Sequence, residues 1–188
     1  VKEINAMLLI GLDVSTSCTG YTVFRRFTEG DELVGMGFIK LGKHKTLFGK
    51  ISAITEKIDD LIRDARPGDT EPVKFYTAVP LKRTGFGSIN TITLLWMFHG
   101  MLSQALWESY GIELLTIKEN EARRQFGIVK DKKAGIHIKE AGRLFTMKDI
   151  EMYNYPMEWE YTRSGNVKGG TYDMTDAYVI AKFALALC

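Results

Sequence analysis

The chain has 188 residues, 45% of them hydrophobic and 26% charged, which suits a single soluble domain over 1–188 with a full core and no membrane-length apolar run. A net charge of +2 is too small for bulk charge alone to signal nucleic-acid binding. Two cysteines, Cys18 and Cys188, are too few for a disulfide framework and point to a reducing, cytoplasmic compartment.

Residues 7–14 predict a first strand, apolar except for Asp13 near its end. A carboxylate in such a run is costly to bury unless a positive group pairs with it, and a divalent metal is the strongest candidate. Small residues, Ser15-Thr16-Ser17, turn the chain into a second strand over 20–26, and Glu29-Gly30-Asp31 turns it into a third over 33–41. The period then changes. Leu47, Ile51, Ile54, Ile58, Leu61 and Ile62 recur at helical spacing, and that helix ends near Arg66-Pro67-Gly68. A fourth strand over 73–81 follows, then a helix over 90–109 that Gly111 stops. This helix is apolar on more than one face, with Leu94, Leu95, Trp96, Met97, Phe98, Met101, Leu102, Leu106 and Trp107, so it is either central or shared with a second subunit. Its His99 reads as a satisfied core histidine. A fifth strand covers 113–117, helices cover 119–126 and 134–145, and an irregular loop covers 153–170. The last helix, 172–187, carries Asp173 and Asp176 at i, i+3 on one face. Three hairpin strands followed by alternating helices and strands predict an α/β fold, a mixed sheet covered by helices.

Three stretches, Gly11-Leu12-Asp13-Val14-Ser15-Thr16-Ser17-Cys18-Thr19-Gly20, Pro80-Leu81-Lys82-Arg83 and Asp173-Met174-Thr175-Asp176-Ala177, carry a family resemblance in their order and spacing. The chain resembles the RuvC-like Holliday junction resolvases of the ribonuclease H-like superfamily, the phage-encoded branch above all. The resemblance implies a five-stranded mixed sheet flanked by helices, and a metal-dependent endonuclease that cuts branched DNA such as four-way junctions, forks or flaps. It further implies a bacterial-host cytoplasm if the chain is phage-encoded, and a homodimer, with the 90–109 helix as the seam. Asp13, Asp173 and Asp176 would hold two Mg²⁺ (or Mn²⁺) ions, which suit in-line phosphodiester cleavage.

The chain departs from that family at one point. Ala78 stands where the resemblance expects a catalytic glutamate near the end of the fourth strand, and Glu71 lies too far back along the strand to replace it. Cutting should therefore be impaired, and the alternative is a non-catalytic branched-DNA-binding protein. Lys133 best matches a lysine near the scissile strand in the resolvases, with Lys130 and Lys132 close beside it. Arg123 and Arg124 read as phosphate contacts. Lys82, Arg83 and Phe86, in a glycine-containing loop, read as phosphate contacts and a ring that enters the junction centre. The β-turn-β start also suits an actin-like kinase, but such enzymes need two lobes and this chain holds one.

Overall fold

Side chains alternate across the first strand, β1 (Met7–Asp13), and this alternation divides the molecule into two faces. The structure, a computed structural model, describes residues 6–65, 71–80, 88–157 and 159–188. β1 pairs antiparallel with β2 (Cys18–Phe27), which pairs antiparallel with β3 (Gly30–Lys40). On its other side β1 runs parallel to β4 (Val73–Ala78), and β4 runs parallel to β5 (Leu114–Ile117). The order across the sheet is β3-β2-β1-β4-β5, the mixed five-stranded sheet expected from the sequence.

Leu8, Ile10 and Leu12 point to one face, where α1 (Leu47–Ala65) and α2 (Ile89–Tyr110) cover them. Ser88 caps α2, its hydroxyl accepting from the Thr91 N–H, and Gly111 closes it in the left-handed conformation at φ 67°. Leu9 and the rest of the other face are covered by α3 (Glu119–Gln125), α4 (Ile138–Ile150) and α5 (Gly169–Leu185). Asp13, two steps beyond Gly11 and four beyond Leu9, belongs to this second face.

Two glycines let α5 lie directly on the strands. A methyl group at Gly11 would sit 2.7 Å from the Ala181 Cβ, and one at Gly20 would overlap the Asp173 carbonyl. Asp13 pairs with Gly20 across the ladder, so the same close approach carries the start of α5 to the end of β1.

Of the boundaries that differ from expectation, three bear on the site. β4 stops at Ala78 rather than at residue 81, after which Val79 donates to the Ile117 carbonyl and Pro80 offers no N–H. α4 begins at Ile138 rather than at 134, because residues 131–136 fold into a tight turn. There the Asp131 carboxylate accepts from the Lys133 and Ala134 N–H groups, and Gly135 sits at φ 69°. α5 begins at Gly169 rather than at 172, so Asp173 lies in the second turn and is not a cap. Among the described residues no helix is long and apolar enough to cross a membrane.

Candidate active site

The C-terminal ends of β1 and β4, the starts of α3 and α4 and the first turns of α5 meet around one cavity of about 330 Å³. Asp13, Ala78, Glu119, Arg123, Lys139, Asp173 and Asp176 line it, with His99 of α2 on the far wall. The three aspartates expected to converge thus share one space. β4 places Ala78 beside them: Leu12 pairs with Thr77, which brings the next residues of the two strands level. Glu71 is engaged elsewhere, accepting from Arg25 Nε at 3.2 Å, and takes no part.

The sequence reading missed a fourth carboxylate. Glu119 opens α3 directly after β5 and half-buries its side chain in the cavity. The signal available was its position two residues past the end of a parallel strand that neighbours β4, where chains of this topology gather their polar groups.

The cations of the cavity also differ from expectation. Arg123, expected as a phosphate contact, is buried, 9% exposed, and one of its terminal nitrogens lies 2.8 Å from Asp176 Oδ1 and 2.5 Å from Glu119 Oε1. Its Nε has no partner among the described residues. The lysine at the cavity is Lys139, in the first turn of α4, 4.0 Å from Asp173 Oδ1 and 3.9 Å from Asp176 Oδ2. Lys133 lies exposed in the turn before α4, outside the cavity lining, with its neighbours Lys130 and Lys132. Arg124 and Lys130 line a second, shallower cavity that shares Arg123, His137 and Ile138 with the first. Lys82, Arg83 and Phe86 lie outside the described residues.

The carboxylates perturb one another. Burial pushes Asp13 well above the usual carboxylate range, and the charges of Asp176, Glu119 and Asp173 push the same way, with Lys139 opposing. Its carboxylate makes no hydrogen bond or ion pair among the described residues. Burial also raises Glu119, against the pull of Arg123, and raises Asp173, against the Cys18 thiol and Lys139. Burial works to lower Arg123, but Asp176 and Glu119 outweigh it and hold the guanidinium more firmly charged. His99, expected to be satisfied, is 8% exposed and has no partner for Nε2 among the described residues, and burial lowers its pKa.

Four oxygen-rich side chains suit a hard divalent ion. In the geometry shown, the side chains do not gather around one ion or around the two expected. Among the described residues no group of three or more His, Cys, Asp and Glu stands in metal-holding geometry, and Arg123 fills the space between Asp176 and Glu119.

No protein-family model matches the chain, and no curated protein matches it in sequence. Solved structures do match its fold. Thermus thermophilus RuvC in complex with a Holliday junction substrate is 11% identical over 96% of both chains, at a TM-score of 0.56. The yeast mitochondrial Holliday junction resolvase Ydc2 is 15% identical over 92% of this chain and 75% of its own, at 0.56. Fowlpox virus resolvase, solved with Holliday junction DNA, is 11% identical over 96% of this chain and 98% of its own, at 0.52. The chain therefore has the RuvC-like, ribonuclease H-like fold.

Proposed function

We propose that this chain is a structure-selective endonuclease of the Holliday junction resolvase type, with strand cleavage impaired by Ala78. The observation that supports it most is the meeting of Asp13, Asp173 and Asp176, from opposite ends of the chain, in one cavity of a resolvase fold. Acids drawn together at this cost in repulsion have a use, and in-line phosphodiester cleavage with a divalent ion such as Mg²⁺ is the chemistry they suit. Exposed Arg124 and Lys130 beside the cavity offer phosphate contacts.

A second reading, a branched-DNA-binding protein that does not cut, is favoured by Ala78 and by the guanidinium lodged among the acids. One experiment separates them. Labelled four-way junction and linear duplex are bound and digested with Mg²⁺ or Mn²⁺ by the chain, by Ala78→Glu and by Asp13→Asn. The endonuclease reading expects selective junction binding by all three, and cutting that Ala78→Glu raises and Asp13→Asn abolishes. Selective binding with no cutting by any of them gives the second reading, and equal affinity for duplex and junction removes both.

A four-way junction presents two symmetric cleavage points, which a twofold dimer would match. α2 supplies the surface for it: Trp96, Met97 and Trp107 are 42%, 50% and 58% exposed on a helix of otherwise apolar character. Trp107→Asp should convert a sedimenting dimer to monomer, and a wild type that sediments as monomer removes the seam.

A further inference from the structure

Arg123 and Glu119 are four residues apart on α3, so they lie one turn apart on the same face. That face is turned into the cavity, where Asp176 of α5 reaches the same guanidinium nitrogen. Asp176 is 3% exposed, so the contact is largely buried. A guanidinium cannot shed its proton, so its charge is permanent there. Lys139 is different. Half-exposed and at 3.9 to 4.0 Å, it sits over the acids loosely and can swing out to solvent. The β4 ligand that would help hold a further ion is missing at Ala78.

We propose that Arg123 is a built-in cation of this site: its guanidinium holds Asp176 and Glu119 where a further divalent ion would otherwise bind, so the cavity takes at most one. The inference rests on reading the cavity as a phosphodiester-cleaving centre, and it names that centre's cation requirement. Glu119 is then the positioning residue that keeps the guanidinium turned towards Asp176, and Ala78 leaves a site built around one mobile ion and one tethered charge.

The test is the count of bound Mn²⁺, read from loss of the free-ion electron paramagnetic resonance signal on titrating the full chain without DNA. Only sites absent from Asp13→Asn are counted. The wild type should bind no more than one Mn²⁺ per chain. Arg123→Gln should bind one more, or bind the first about tenfold more tightly, the scale of one lost charge-assisted contact. Arg123→Lys should count as wild type. Two Mn²⁺ on the wild type overturn the proposal, and that measurement needs no variant to fold. An unchanged count and affinity in folded Arg123→Gln overturn it as well. Junction binding by the wild type is measured separately: its absence removes the functional reading and leaves the ion count standing, whereas intact junction binding with two bound ions removes only this inference.

Discussion

Arg123 and Arg124 are neighbours in the chain and opposites in situation. Arg123 faces the interior, shares one nitrogen between two carboxylates and is largely buried. Arg124 faces outwards on the rim with Lys130, exposed and without an ion pair among the described residues. The difference lies in geometry and not in residue type. On a short helix, consecutive positions point about 100° apart, and only the first of the two meets the start of α5. A basic run in sequence therefore contains two electrostatic roles. One is an internal counter-charge whose worth depends on fixed geometry, and the other is a solvated surface whose worth depends on salt.

The largest expected effect breaks the interior half of this comparison. Asp176→Ala leaves Arg123 buried beside only one of its two partners, and removing one member of a buried pair costs about 3–5 kcal/mol. Arg124→Ala should stay within about 0.5 kcal/mol. Urea denaturation of both variants checks this, and an Asp176→Ala loss below that of Arg124→Ala would show that water reaches the cavity freely.

The rim is tested by salt. Each exposed cation that contacts phosphate should, on replacement, reduce the slope of log affinity against log salt by about 0.9 for duplex arms. Arg124→Gln and Lys130→Gln should each do so in junction-binding titrations, and Arg123→Gln should leave the slope alone. A slope that falls with Arg123→Gln would return that residue to the surface role.

The fold was legible because its signals are local and periodic. The change from strand to helical spacing at Leu47 and the Gly111 stop each reflect backbone chemistry that acts within a few residues. The aspartate trio was legible too, as paired spacing plus a costly buried charge. The remainder of the site was not. Glu119 and Lys139 look like ordinary first-turn residues of α3 and α4, and nothing local distinguishes them from solvated helix ends. Lys133 is the lysine that the family resemblance singles out, whereas the structure places it in the Asp131 turn before α4, outside the cavity lining. His99 reads as core because its helix is apolar, and only the tertiary fold shows that its Nε2 has no partner among the described residues.

pH separates the two regions next. Asp13, Glu119 and Asp173 all titrate higher in the folded chain than unfolded, so the folded state binds more protons across that interval. Stability from this set is present at acid pH and falls as pH rises from about 4, the ordinary carboxylate value, through the raised values. Glu140, held low by Arg143 outside the cavity, works in the opposite sense, so the useful quantity is the difference between wild type and Asp13→Asn. The Asp13→Asn melting temperature should match wild type near pH 4 and exceed it at pH 7. Parallel curves would mean that the Asp13 carboxylate is solvated like a rim group.

The smallest effect concerns His99. A neutral imidazole with a buried, unpartnered Nε2 carries a desolvation cost that leucine, of similar bulk, does not. His99→Leu should therefore stabilise the chain by about 1 kcal/mol, or about 2–4 °C in melting temperature. If the variant melts higher and still binds and cuts junctions as wild type does, His99 is a packing residue on the apolar side of the comparison. If it melts higher but loses cutting while keeping junction affinity, Nε2 is reserved for a partner that arrives with the substrate, and the interior gains a neutral member beside its two cations.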